Sequence, residues 1–316
     1  MQDGGIRVTR MQEVRVAEAT PEHAAALAGM TWSAYRPFLS LPEETRTAAR
    51  AVLLAAWVRE VPIGLVISRG RSAGADEQEL LSLFVVPEWR RRGVARALLA
   101  GLRTALAGSG AARLGAQYSS RLPCIGPWEG LLQAEGWSAP EAFSLRICGP
   151  VRETFSVFRH RAALIERLGR EGFAIRTWRE DGARAVAVAA QLRQSGEAPN
   201  WSAPDFWLDA LDPDASMVLV DETGDVRGWV VCQHQAALNR WFFPIGWVRE
   251  PQAGRGWLLG AYAEGARRLA EAHGDETEVV VESYSGLPQM WRVLERHFVP
   301  YARWSDHLMH SHCALG

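Results

Sequence analysis

Residues 79–106 read Glu79-Leu-Leu-Ser-Leu-Phe-Val-Val-Pro87-Glu-Trp-Arg90-Arg-Arg-Gly93-Val-Ala-Arg-Ala-Leu-Leu-Ala-Gly-Leu-Arg-Thr-Ala-Leu106. Leu80 to Val86 form an apolar, partly β-branched run, too short for a helix and stopped by Pro87, which predicts a buried strand. From Val94 the apolar residues recur at Leu98, Leu99, Leu102 and Leu106, the spacing of a helix with one buried face, and Gly108 with Gly110 closes it. The stretch is therefore a strand, a basic turn and a helix.

The turn carries the chemistry. A helix N-terminus offers unpaired amides and the positive end of a dipole. Gly93 and the small Ala95 let a phosphate approach that backbone, and Arg90, Arg91 and Arg92 neutralise its charge. No Lys-Ser or Lys-Thr follows the glycine, which excludes a nucleotide-hydrolysing P-loop, and the glycine spacing is not that of a dinucleotide fingerprint. Together the strand, Val85, Pro87, Arg90, Gly93, Ala95 and the Leu-Leu helix resemble motif A of the GNAT superfamily of N-acetyltransferases. That pattern is Gln or Arg, two residues, Gly, one residue, then Gly or Ala. In that family the turn holds the pyrophosphate of acetyl-coenzyme A, and the preceding strand pairs its backbone with the pantetheine arm. The resemblance implies a coenzyme site at Leu83, Phe84, Val85, Arg91, Arg92, Gly93, Val94, Ala95 and Arg96.

Outward from this stretch, Val14 to Ala17 read as a strand, and Thr20-Pro21 caps a helix running to Met30. Pro37 to Pro42 mark a loop, and Glu43 to Arg50 a short helix. Ala51 to Arg59 and Ile63 to Ser68 read as a hairpin. After the central helix come a strand at Arg113 to Tyr118, a loop through Pro127, a helix from Trp128 to Glu135 and a strand at Phe143 to Cys148. This order resembles the GNAT fold, whose mixed sheet splays beside the central strand.

The pattern then repeats. Val218 to Val230 echoes the hairpin, Gly254-Arg255-Gly256 with its following helix echoes the central element, and Tyr284-Ser285 echoes Tyr118-Ser119. The expected architecture is α/β (α+β): two tandem GNAT-like domains, each a mixed splayed β-sheet flanked by helices. The first, residues 1–150, binds acetyl-CoA; residues 151–172 connect; residues 173–316 form a second, degenerate domain. Placing Gly256 on Gly93 puts Ala253 in the Arg90 position and Leu258 in the Ala95 position, so the second cradle is weakened or lost. A register with Gly254 on Gly93 puts Pro251 there instead.

Acetyl transfer to an amine needs a neutral amine, a polarised thioester carbonyl and a proton for the departing thiolate. The tyrosine that the family uses as acid falls on Leu132 in the first half and Val293 in the second. Glu79 opens the central strand and, by alternation, shares a face with Leu81, Leu83 and Val85, making it the candidate base. Tyr118 is the candidate acid. Glu282 and Tyr284 hold comparable places in the second half.

The 316 residues, 48% of them hydrophobic, suffice for two domains. Lys plus Arg number 35 against 36 Asp plus Glu, so no global field favours nucleic acid or an anionic membrane. No signal peptide or membrane span is legible, and Cys124, Cys148, Cys232 and Cys313 have no paired spacing; a cytoplasmic protein with reduced thiols is expected. His307, His310, His312 and Cys313 have no second ligand group, so no metal is assigned. The expected function is N-acetyl transfer from acetyl-CoA to a small-molecule amine by direct attack. The alternatives are a non-catalytic acyl-CoA-binding or regulatory module, or an acyltransferase acting on a protein N-terminus.

Overall fold

The computed structural model describes residues 14–71, 76–155, 162–250 and 256–315. The chain divides into two compact units, Met1–Glu141 with Met309–Gly316, and Ala142–Leu308.

In the first unit, β1 (Val14–Glu18) leads through short helical turns, including α1 (Ala24–Leu27), to α2 (Glu43–Ala48). The segment Ser33–Ser40, which overlaps the expected loop at Pro37 to Pro42, is a 3-10 helix that accommodates Pro37. β2 (Val52–Val58) and β3 (Val61–Gly70) pair as a hairpin, and Arg59 takes the positive φ of 53° that its two-residue turn requires. β4 (Glu77–Val85), α3 (Val94–Leu106), β5 (Arg113–Ser119) and α4 (Ile125–Ala134) follow. Pro127 lies in the first turn of α4, where its missing N–H costs nothing, so that helix starts before the expected Trp128. β1, β2, β3 and β4 are antiparallel neighbours, and β4 runs parallel to β5. One sheet face is covered by α3, whose Val94, Leu98, Leu99, Leu102 and Leu106 are buried with Leu54, Val66, Leu80 and Val85. Each such side chain contributes about 1.5–3 kcal/mol. The other face packs Leu53, Ala55, Leu65 and Ile67 against Leu27, Met30 and Leu39.

The second unit contains β6 (Glu141–Pro150, from Ala142), α5 (Val151–Thr154), α6 (Ala162–Arg170), β7 (Ala174–Thr177), α7 (Trp178–Gln194), β8 (Met217–Val220), β9 (Val226–Gln235), β10 (Arg240–Val248), α8 (Trp257–His273), β11 (Glu278–Tyr284) and α9 (Pro288–Val293). β7 to β11 repeat the order and senses of β1 to β5: three antiparallel pairings, then one parallel. The units differ from the expected domains at both ends. β6, read as the last strand of the first domain, lies in the second unit, antiparallel to β11 from Ser144 to Pro150. The end of β12 (Trp304–Ala314), from Met309 onward, belongs instead to the first unit, where Cys313 is buried and Ser138 N donates to His312 O at 2.8 Å. Both strands have edges to satisfy, and periodicity records an edge without recording its partner.

Each unit carries one β-bulge in its central strand. Ser68 faces Leu80 and Ile67 faces Ser82, leaving Leu81 as the extra residue. In β10, Val231 faces Ile245 and Gln233 faces Phe242, so Phe243 and Pro244 share the place opposite Cys232. Counted back from the residues opposite Gly64 and Gly228, Pro244 stands where Leu81 stands. A proline inside a central strand is tolerated at such a bulge.

Candidate coenzyme and acetyl-transfer site

β4 and β5 pair only over Glu77–Leu80 and Arg113–Ala116. Beyond that the pairing stops, which leaves an opening in the ladder between Leu81–Val85 and Gln117–Ser119. On its other side β4 stays paired with β3 through Val85. Peptide groups alternate sides along a strand, so half of those from Leu81 to Val85 bond β3 and half face the opening.

At the end of β4 the chain makes a 3-10 turn, Pro87–Trp89, and enters α3 through two left-handed residues, Arg91 (φ 60°) and Gly93 (φ 82°). Gly93 is the N-cap, and Ala97 N donates to its carbonyl at 3.0 Å as the first helical bond. The amides just after Gly93 have no intrahelical acceptor, by the geometry of any helix start. The arginines divide their work. Arg90 Nε donates to Val85 O at 3.0 Å and its guanidinium lies 5.9 Å from the Phe84 ring centre, so it fastens the turn to the strand end. Arg92 lies 5.3 Å from the Trp89 ring centre, and both Arg91 and Arg92 are exposed. Val94 is buried under the helix start, Ala95 is half-buried, and Arg96 Nε lies 3.2 Å from Glu135 Oε1. The nine residues expected at the coenzyme site thus line one continuous turn and strand end.

The bulge at Leu81 changes the face assigned to Glu79. Leu83 and Val85 pack with the α3 core and Leu81 and Phe84 with the opposite core, while Val86, past the strand end, touches both. Strict alternation fails because the extra residue resets it, so Glu79 shares a face with Leu81 but not with Leu83 or Val85. Glu79 faces Arg69 across the hairpin. Arg69 Nε and Nη2 donate to its Oε2 at 3.3 and 3.2 Å, which leaves Oε1 as the second acceptor. Tyr35 lies on this side too: burial, then the Glu79 charge, raise its pKa, against a smaller lowering by Arg69. Sequence reasoning passed over Tyr35 because nothing in a Pro-bounded segment signals which side chain folds back on the sheet.

Tyr118 belongs to the core on the α3 face, edge-on to Trp128. Its hydroxyl donates to Glu129 Oε1 at 3.3 Å. Burial, then the Glu129 charge and hydrogen bond, hold its pKa well above the usual phenol value, so it stays protonated through neutral pH. The two candidate catalytic residues therefore come from opposite faces of the sheet, Glu79 within the paired section and Tyr118 beside the opening. Leu132, in the place of the expected tyrosine, is a core residue.

The second unit keeps the scaffold and changes the chemistry. Gly256 (φ 92°) is the N-cap of α8, as Gly93 is of α3, which fixes the register with Gly256 on Gly93. Trp257 then replaces Val94 and is buried. Leu258 replaces Ala95, with Cδ2 3.1 Å from where a Cβ on Gly246 would stand. Phe242 replaces Glu79 by strand register. The same register puts Ser283 on Tyr118 and Tyr284 on Ser119, one residue off the sequence echo. Pro251, Ala253, Gly254 and Arg255 lie outside the described residues. Glu282 accepts a hydrogen bond from the Ser144 hydroxyl, and burial raises its pKa, while the neighbouring Arg146 is bonded to Asp306 at 2.6 Å.

His310 sits 3.6 Å from Glu77 and its ring stacks on that of His312. Among the described residues no three His, Cys, Asp or Glu side chains converge as a metal site would require. Among the same residues no helix is long and apolar enough to cross a membrane.

The model of the acetyltransferase (GNAT) family matches residues 17–122. The fold is similar to that of a tandem GNAT protein from the clavulanic acid biosynthesis pathway, at TM-score 0.60 and 16% identity, covering 96% of this chain and 99% of that one. It is similar also to a GCN5-related N-acetyltransferase from Sphaerobacter thermophilus, at TM-score 0.53 and 17% identity, covering 97% of each chain. A third likeness is to the glucosamine N-acetyltransferase region of a fungal multi-domain β-N-acetylglucosaminidase, at TM-score 0.63 and 13% identity, covering 94% of this chain and 38% of that one. No curated protein matches the sequence.

Proposed function

We propose that this chain, a tandem-domain protein of the GNAT superfamily, transfers an acetyl group from acetyl-CoA to the amine of a small molecule, with the first unit holding the coenzyme. The observation that carries the reading is the left-handed Gly93 N-cap, which opens the start of α3 beside the parting of β4 and β5. In this reading the amides after Gly93 and the exposed Arg91 and Arg92 take the phosphates, and the free peptide groups of β4 take the pantetheine arm. Glu79 Oε1 accepts the amine's proton. The nitrogen lone pair forms the C–N bond as the C–S pair leaves with sulfur, and the thiolate takes the proton of the Tyr118 hydroxyl. No nucleophilic side chain takes part. The second unit, with Phe242 and Leu258 at the corresponding places, contributes structure without chemistry of its own.

A second reading, an acyl-CoA-binding module without turnover, is favoured by one observation: the Tyr118 hydroxyl is already given to Glu129. Thiol release from acetyl-CoA in the presence of a mixture of primary amines separates the two. Release that disappears in Glu79→Gln supports transfer; coenzyme binding without release in any mixture supports the module.

A further inference from the structure

Arg96 has two claimants. It occupies the first turn of α3, beside the phosphate-binding amides, yet its guanidinium is paired with Glu135 at the end of α4 at 3.2 Å. Glu135 is clasped by a second arginine as well. Arg103 Nη1 lies 3.5 Å from its Oε2, and Arg103 Nη2 donates to its backbone carbonyl at 2.5 Å. The exposures differ sharply: the Arg96 side chain is 62% exposed, that of Arg103 34%, and that of Glu135 only 15%.

These facts set the cost of exchange. An ion pair with one partner so exposed is weak, because water screens it and a long side chain must be held in one geometry. Withdrawing Arg96 does not strand Glu135 either, since Arg103 keeps both its carboxylate and its carbonyl. Stranding a half-buried carboxylate is what would make such a move expensive. An anionic phosphate at the helix start offers Arg96 a stronger partner, with more charge and several acceptor oxygens.

We propose that Arg96 exchanges Glu135 for the coenzyme's phosphates on binding, so that Glu135 is a positioning residue that tempers coenzyme affinity. This rests on the assignment of the coenzyme to the first unit. Glu135 holds Arg96 folded along α3 when no coenzyme is bound, and Arg103 takes over the carboxylate when Arg96 leaves.

The test is calorimetric titration of coenzyme A, which cannot turn over, into wild type, Glu135→Gln, Arg96→Gln and the double variant. Glu135→Gln is expected to bind about three-fold more tightly, the range for freeing one exposed ion pair. Arg96→Gln is expected to bind more weakly, and Glu135→Gln on that background to add nothing. Equal tightening in both backgrounds would overturn the exchange, because it would mean that only the long-range charge of Glu135 matters. Weaker binding by Glu135→Gln with an unchanged melting temperature would overturn it too. Absence of binding by wild type would sink the coenzyme assignment and the exchange together, whereas the other two outcomes leave that assignment standing.

Discussion

Gly64→Ala tests whether the close approach of α3 to the sheet places the turn proposed to hold the coenzyme. Gly64 lies in β3 opposite Val85, the last residue of β4. A Cβ there would stand 3.0 Å from the Phe84 carbonyl oxygen, 3.0 Å from Leu98 Cδ1 and 3.3 Å from Val94 Cγ1. Ordinary contacts begin near 3.4 Å, so each neighbour must give by a few tenths of an ångström. The Phe84 carbonyl is held in the sheet; the two side chains belong to the first turns of α3, so the strain falls on the helix start. Overpacking of this kind costs about 1–3 kcal/mol. The added methyl recovers about 0.4–1 kcal/mol by restricting the unfolded chain. The net loss is then roughly 1–2 kcal/mol, a fall in melting temperature of about 2–8 °C for a unit of this size. Thermal unfolding by circular dichroism, with calorimetric titration of acetyl-CoA, measures both consequences. A melting temperature that is unchanged or higher, with undiminished coenzyme affinity, would refute the packing argument. In the second unit Gly228 occupies the same place, and a Cβ there would collide with the Trp247 carbonyl, so the requirement belongs to the repeat.

Glu79→Gln keeps the size and one hydrogen bond to Arg69 but cannot accept a proton; thiol-release assays should show kcat down by about 10²–10⁴-fold with acetyl-CoA affinity unchanged. Deleting residues 309–316 removes the bonds between Ser138 and His312, the Leu315 N to Ala112 O bond and buried Cys313. At about 1 kcal/mol per hydrogen bond the first unit loses roughly 3 kcal/mol or more, and limited proteolysis should cut within residues 14–141 before residues 142–308. Burial pushes the Asp221 carboxyl up, but hydrogen bonds from Thr223, Arg227 and the Asp225 amide outweigh it and bring it from 3.8 to about 2. A depressed carboxyl stabilises above its unfolded value, so this contribution is lost as pH falls from about 4 to 2, and Asp221→Asn should flatten the acid limb of the melting curve over that window.

The strand, turn and helix proposed to hold the coenzyme are legible because their determinants are local: Gly93 must supply a positive φ, Pro87 must end a strand, and the helix period starts at Val94. The repeat is legible for the same reason, since Gly256 caps α8 as Gly93 caps α3. What failed is what depends on a partner strand. Alternation along Glu79 to Val85 hides the bulge at Leu81, because a leucine at an extra position looks like any other; only Pro244 in the second copy carries a trace of it. The placement of β6 and of residues 309–314 depends on which exposed edge each strand meets, and no spacing rule records that. Tyr35, Glu129 and Glu135 are brought to their places by tertiary packing alone.

The measurement that bears most directly on the central claim is the stoichiometry of acetyl-CoA binding by calorimetry, in wild type, Gly93→Glu and Gly256→Glu. One site per chain, lost with Gly93→Glu and kept with Gly256→Glu, is the predicted result: a carboxylate at the cap of α3 repels the phosphates and must adopt a strained left-handed backbone. Two sites per chain, or a single site that survives Gly93→Glu and is lost with Gly256→Glu, would contradict the assignment of the coenzyme to the first unit.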